Sequence, residues 1–248
     1  DAVLADALLT GPRSSGAHQG QGGFARYAVI PEAAAMPVPD GLTYDQAANL
    51  LGNYETAYHV LVHRGRLAAG ETVLINGATG STGLAAVHVA KMVGATVIAT
   101  GRDPDKLAQV RGHGADHTLA VDDGEGGVRR FRDEVKALTR GEGVHVVHDG
   151  VGGPISVESI RSMRFGGRFC IVGWAATPFV ARGKGRRGAP NVNLLPTNLI
   201  QMKGLDVLGC PAVIATKHDP TLRPTRLAWI GERIAEGRLR PNVGPAYP

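Results

Sequence analysis

Thr72-Val73-Leu74-Ile75-Asn76-Gly77-Ala78-Thr79-Gly80-Ser81-Thr82-Gly83 is the stretch that decides the fold of this chain. Thr72 to Ile75 reads as a buried strand, and Leu84 to Val93 repeats apolar side chains at helical spacing, so Gly77 to Gly83 joins a strand to a helix. Glycines in that setting have a mechanical job. They permit a tight turn, let backbone approach a pyrophosphate and bring helix against strand, while the helix N-terminus offers amide hydrogens and a positive dipole. The loop predicts a dinucleotide site, with Gly80, Ser81, Thr82 and Gly83 at the phosphates.

Downstream the alternation continues. Thr96 to Ala99 is a strand, and Pro104 to Arg111 is a helix with proline in its first turn. Further strands are expected at 117–119, 144–147, 168–172 and 206–208, with helices at 131–138, 155–163 and 225–236 between and after them. Apolar strands alternating with helices imply an α/β fold, a Rossmann-type doubly wound parallel sheet covered on both faces. Upstream, Gly22 to Pro31 alternates like a strand and Met36 to Gly41 reads as an extended piece closed by a turn. Thr43-Tyr44-Asp45-Gln46 then forms a capping box that launches Ala47 to Val62 as one or two helical segments.

The end of the second strand of the alternation, about 20 residues beyond the glycine loop, chooses between dinucleotides. An acid there would bind the ribose 2′-hydroxyl of NAD. Instead the sequence places Arg102 there, with Lys106 one helical turn later; a bidentate guanidinium and a point charge suit a 2′-phosphate, so the expected cofactor is NADPH. Asp103, between them, is the one residue that argues the other way.

At 248 residues, with 43% hydrophobic and 20% charged residues, the chain has the composition of a globular protein and no apolar run long enough to span a bilayer. No signal-peptide pattern opens it, and a cytoplasmic location is expected. Cys170 and Cys210 each lie in an apolar stretch and are expected as buried thiols, not as a disulfide or metal ligands. The net charge of +5 is concentrated in Arg182-Gly183-Lys184-Gly185-Arg186-Arg187, which lacks the interleaved aromatics of a nucleic-acid surface; it reads as a solvated loop, and no nucleic acid or membrane is expected as partner.

Thr56-Ala57-Tyr58-His59, Ala69-Gly70-Glu71-Thr72, the glycine loop, Gly114-Ala115-Asp116-His117, Asp149-Gly150-Val151-Gly152-Gly153, Gly166-Gly167-Arg168 and Asn198 to Gly204 together resemble zinc-independent medium-chain dehydrogenases/reductases of the quinone-oxidoreductase and enoyl-reductase branch. The resemblance is collinear over residues 22 to 248. It implies a partial, β-rich GroES-like domain at 1–50, a dinucleotide-binding domain at 51–238 and a return segment at 239–248, with much of the first domain lacking. It also implies NADPH-dependent hydride delivery to a small molecule, either a quinone or an α,β-unsaturated carbonyl compound. By the same resemblance Thr56 lies near the nicotinamide or its phosphate bridge, Gly150 near the adenosine, and Gly173 and Trp174 by the nicotinamide. Asn53 and Tyr54, just ahead of Thr56, can donate hydrogen bonds and are the expected substrate-facing, catalytic groups. Relatives of this kind pair through the edge strand, which implies a homodimer through Leu205 to Leu208.

Zinc-dependent relatives carry a ligand cysteine four residues before the equivalent of Thr56, and here that residue is Gly52. No cysteine precedes Cys170, and the histidine pairs 113/117 and 145/148 have no third ligand in the sequence pattern, so no metal is expected. A non-catalytic NADP(H)-binding module or sensor on the same fold is the alternative reading. A short-chain dehydrogenase is disfavoured, because about 70 residues precede the loop and no Tyr-x-x-x-Lys pair occurs.

Overall fold

The computed structural model describes residues 1–12, 14, 17–23, 25–177 and 193–244; the basic run Arg182 to Arg187, Phe24 and the tail from residue 245 lie outside them. The chain opens with β1 (Val3–Ala5), which pairs antiparallel with β2 (Ala35–Pro37). Helix α1 (Tyr44–Ala48) starts on the expected capping box: Thr43 Oγ1 accepts from the Gln46 amide at 3.3 Å, and Gln46 Oε1 accepts from the Thr43 amide at 3.0 Å. Helix α2 (Leu50–Tyr58) follows, and His59–Arg64 continues it in π-helical geometry. Then comes the alternation of β3 (Thr72–Asn76), α3 (Ser81–Val93), β4 (Thr96–Gly101), α4 (Pro104–Gly112), β5 (His117–Ala120) and α5 (Arg132–Leu138). It continues through β6 (Val144–Asp149), α6 (Pro154–Ser162), β7 (Met163–Ile171), α7 (Thr197–Met202) and β8 (Asp206–Gly209). Helices α8 (Ala212–His218) and α9 (Leu222–Ala235) come last among the described elements.

Packing groups these elements into two units, Ala57–Ala212 and Asp1–Thr56 with Val213–Pro248. Helix α9 thus groups with the N-terminal residues, although the expected division assigned it to the dinucleotide-binding domain.

In the 57–212 unit, six strands form one parallel sheet in the order β5-β4-β3-β6-β7-β8. The chain builds outward from β3 to β5, crosses over through α5, and builds outward again from β6 to β8. The reversal lies between β3 and β6, and a doubly wound sheet opens its ligand crevice at the C-terminal ends of the strands at that point. On one face Leu74, Ile98, Val147 and Phe169 pack with Phe131 and Val135 of the α5 region and Ile155 and Ile160 of α6. The other face is covered by α3 and the π-helical segment. Both faces being buried explains why these strands read as apolar runs without alternation.

The expectation of a strand over Gly22 to Pro31 is not met among the described residues, where Tyr27 and Val29 stand 85% and 70% exposed. Alternation is not enough: a strand needs a ladder partner and a face to bury, and these residues find neither. The residues before 20, which carry no readable pattern, instead supply β1.

The other unit is tied by Arg223, at the start of α9. Its guanidinium donates to Glu55 Oε1 at 2.8 Å and to both carboxylate oxygens of Asp6. All three side chains are at most 15% exposed. Replacing Arg223 by methionine leaves two buried carboxylates without their cation, and unfolding in urea is expected to show a loss of about 3–5 kcal/mol.

In the larger unit, His148 is buried in the sheet, in register with Ile75 and Cys170, and neither ring nitrogen has a hydrogen-bond partner among the described residues. Burial pulls its pKa down to about 4. Between pH 6.5 and 4 the unfolded chain then binds a proton that the folded chain refuses, so stability falls as the pH drops through that window, by up to about 3 kcal/mol. Denaturation midpoints measured across pH 4–7 are expected to show this slope, and His148→Leu should reduce it to the part that His88, also pulled down to about 4 by burial, contributes.

Candidate dinucleotide site

At the C-terminal ends of the central strands each apolar run closes on a polar residue: Asn76 on β3, Thr100 on β4, Asp149 on β6. All three are at most 1% exposed. Thr100 Oγ1 donates to Asn76 Oδ1 at 3.1 Å, and Asn76 Nδ2 donates to Asp149 Oδ1 at 3.2 Å and to Ser159 Oγ at 2.9 Å. Asp149 also accepts from the amides of Val151 and Gly152, both at 3.1 Å, and from Ser156 Oγ. Its carbonyl receives the amides of Val172 and Gly173 at 2.8 and 3.3 Å. The Asp149 carboxylate thereby fixes the loop that follows β6, and the Asp149 backbone carbonyl holds the loop that follows β7. Sequence reasoning quoted Asp149 only as part of a motif and gave no role to Asn76, Thr100, Ser156 or Ser159. The available signal was that the three central apolar runs each close on a hydrogen-bonding residue.

The glycine loop sits beside this network. Gly77 has φ +68°, and a Cβ there would lie 2.9 Å from the Val151 side chain. A Cβ on Gly83 would lie 2.3 Å from the Gly77 carbonyl oxygen and 2.8 Å from Ala78 Cα, so helix and loop touch backbone to backbone. Helix α3 begins at Gly80, which offers no side-chain cap, and Gly80 and Ser81 are exposed. The first turn of a helix carries amides with no intrahelical acceptor, and an end uncapped by protein is a ready receptor for phosphate oxygens.

Arg102 and Lys106 follow at the end of β4, both exposed, and neither side chain forms an ion pair or hydrogen bond among the described residues. Asp103, the residue that argued against a phosphate, is engaged elsewhere: its Oδ1 caps α4 by accepting the amides of Asp105 and Lys106 at 2.9 and 3.2 Å. Across the crest, a Cβ on Gly173 would meet the Gly150 carbonyl oxygen at 3.2 Å, and the amides of Ala175 and Ala176 bond the carbonyls of Gly150 and Val151. The structure therefore brings Gly150, Gly173 and the half-exposed Trp174 together on one crest beside the glycine loop.

The remaining expected residues belong to the other unit, on α2. Thr56 Oγ1 donates back to the Gly52 carbonyl at 2.7 Å. Asn53 donates to Asn49, whose own amide donates to the Asn242 carbonyl at 2.7 Å. Tyr54 is 1% exposed; burial, opposed by a hydrogen bond from the Asn242 backbone, pushes its pKa up to about 12. Its hydroxyl holds its proton at neutral pH and is engaged within the unit.

Among the described residues no three His, Cys, Asp or Glu side chains come together as a metal site, and Gly52 supplies no ligand atom. The residues do not fit a zinc ion, and no chemical step is derived through one. No helix among them is long and apolar enough to cross a membrane.

A doubly wound parallel sheet with a glycine crest and an uncapped helix at its switch point defines a Rossmann-type dinucleotide-binding fold. Residues 81–215 match the zinc-binding dehydrogenase family, and the chain belongs to it. A quinone oxidoreductase-like protein 2 homolog from Nematostella vectensis is 32% identical over 97% of this chain and 61% of its own length. A highly reducing polyketide synthase, phiA, of a fungal species is 36% identical over 92% of this chain but 8% of its own length. Among solved structures, the quinone oxidoreductase from Thermus thermophilus, whose complex with NADPH is also known, is 28% identical, with a TM-score of 0.73 over 91% of this chain and 66% of that one. The quinone-oxidoreductase-like, medium-chain resemblance read from the sequence is thus borne out, over a chain that spans about three fifths of its quinone-oxidoreductase-like relative.

Asp149→Asn keeps the size of the side chain but turns one accepting oxygen into a donor, so that either Ser156 Oγ on one oxygen or Asn76 and the Val151 and Gly152 amides on the other lose their acceptor. A loss of about 2–3 kcal/mol in urea unfolding is expected, together with weakened dinucleotide binding by fluorescence titration.

Proposed function

We propose that this chain is the NADPH-binding part of an oxidoreductase that reduces a quinone or an α,β-unsaturated carbonyl compound without zinc. The observation that carries this reading is the pair of exposed cations Arg102 and Lys106 at the end of β4, unpaired among the described residues, with Asp103 occupied as a helix cap. The NADPH complex of the Thermus thermophilus relative and the quinone-oxidoreductase-like name of the Nematostella vectensis relative support it.

In this reading the amides of Ser81, Thr82 and Gly83 receive the pyrophosphate, Arg102 grips the 2′-phosphate bidentately, and Lys106 adds a point charge. Gly150 flanks the adenosine, and Gly173, Trp174 and Thr56 serve the nicotinamide. The cofactor, when bound, supplies the hydride. The protein's share is to orient the two reactants, exclude water and donate a hydrogen bond to the carbonyl oxygen as negative charge develops there. Asn53 is the donor we assign to that oxygen. Tyr54, buried and bonded to the Asn242 backbone, holds α2 in place. A second copy pairs along β8, the edge strand of the sheet, which gives a homodimer.

The engagement of Asn53 and Tyr54 within their own unit favours one second reading, a module that binds NADP(H) without turnover. Trp174 is half-exposed on the crest and makes a fluorescence reporter. Titration is expected to show NADPH bound more tightly than NADH, and Arg102→Ala should weaken NADPH by roughly 10- to 100-fold while leaving NADH unchanged. NADPH oxidation with a quinone or an enone, unaffected by chelator, supports the enzyme. Tight binding without turnover supports the module, and equal affinity for both cofactors overturns the assignment.

A further inference from the structure

The two cysteines are 40 residues apart in sequence, yet the ladder brings them together. Cys170 on β7 is in register with Leu208 on β8. Two residues later the Cys210 amide donates to the Ile171 carbonyl at 3.0 Å, and the Cys210 sulfur turns back to lie 3.4 Å from the Leu208 carbonyl oxygen, beside its neighbour across the ladder. Both sulfurs are buried and free, and each thiol shifts the titration of the other.

The pair is not symmetrical. Cys170 is fully buried under the π-helical segment, with its sulfur 3.9 Å from the Val60 carbonyl and so close to Gly65 that a Cβ there would sit 3.2 Å from it. Cys210 stands at the end of the edge strand, next to Gly209, whose carbonyl accepts from Arg64 Nε at 3.1 Å. The Arg64 guanidinium also bonds the Cys210 side chain, and it forms no ion pair with a carboxylate among the described residues. The Cys170 thiol, joined by the Arg64 charge, holds the Cys210 thiol below its usual range, and the Cys210 thiol together with burial pushes the Cys170 thiol up. A thiol with a cation and a second thiol at hand is a reactive one. Strand β8 is four residues long, mostly exposed in the single chain and at the sheet edge, so where no second copy covers it its local opening admits a small oxidant to a sulfur that is otherwise covered.

We propose that Cys210 and Cys170 are a redox pair, oxidised by hydrogen peroxide or an organic hydroperoxide to an intramolecular disulfide, with Cys210 as the attacking sulfur. The Cys210 thiolate attacks the peroxide, so that an S–O bond forms, the O–O bond breaks, and the leaving oxygen departs as water or an alcohol. Cys170 sulfur then attacks the Cys210 sulfenic acid; the S–S bond forms, the S–O bond breaks, and the hydroxide released takes up the Cys170 proton as water. Two thiols and one hydroperoxide give one disulfide, one water and one water or alcohol. The bond fixes the end of β8 to β7, two residues before the chain leaves the 57–212 unit.

Treating the folded 248-residue chain with hydrogen peroxide and mapping peptides without reduction tests this. A Cys170–Cys210 peptide pair lacking two hydrogens, formed while the far-ultraviolet dichroism stays native and reversed by dithiothreitol, is the expected result. Cys170→Ser should leave Cys210 trapped as a sulfenic acid that dimedone captures, and Arg64→Gln should slow that capture about tenfold. Thiols that stay reduced until the chain is unfolded in guanidinium overturn the proposal. So does dimedone capture of Cys170 in Cys210→Ser at the rate found for Cys210 in Cys170→Ser.

Discussion

The buried carboxylate of Asp149 is the joint on which the site depends. A charge taken out of water must be met by donors from several directions, and here they come from β3 through Asn76, from α6 through Ser156 and from the backbone of its own loop through Val151 and Gly152. Each donor belongs to an element that borders the crevice between β3 and β6. The residue therefore does two things at once: its carboxylate shapes the loop after β6, and its backbone carbonyl holds the loop after β7 beside it. The glycine crest is rigid because it leans on this network, Gly77 lying against Val151.

Around that joint, the division of labour follows from charge and volume. Glycines are present where any side chain would collide with backbone, and the Gly83 contact is the tightest of them. The uncapped end of α3 and the cations after β4 are left facing outward, and Asp103, the acid next to Arg102, is withdrawn into a helix cap. A surface with donors and cations is suited to a ligand carrying a diphosphate and a 2′-phosphate on its adenosine.

Much of this was legible in the sequence, for identifiable reasons. Strands buried on both faces read as apolar runs, the glycine spacing reports a steric requirement, and the Thr43 to Gln46 box is a local reciprocal pair. What could not be read depends on partners distant in sequence. Gly22 to Pro31 has the alternation of a strand but no ladder neighbour, whereas Val3–Ala5 has no pattern and gains one from β2. Tyr54 reads as a polar handle, but its burial is decided in part by Asn242, nearly two hundred residues away. The contact between Cys170 and Cys210 depends on a β7–β8 register that composition does not encode.

The ion pairs of Arg223 join residues 217 positions apart, Asp6 and Arg223, whereas the sheet unit is a single continuous segment from Ala57 to Ala212. During synthesis the sheet can complete itself as soon as that segment has emerged, while Asp6 and Glu55 must wait for Arg223 to supply their cation. Until then the N-terminal residues carry two uncompensated acids, which keeps them hydrated and delays their collapse. The order of assembly on the ribosome, the 57–212 segment before the ion pairs of Arg223, is thus written into the position of one arginine.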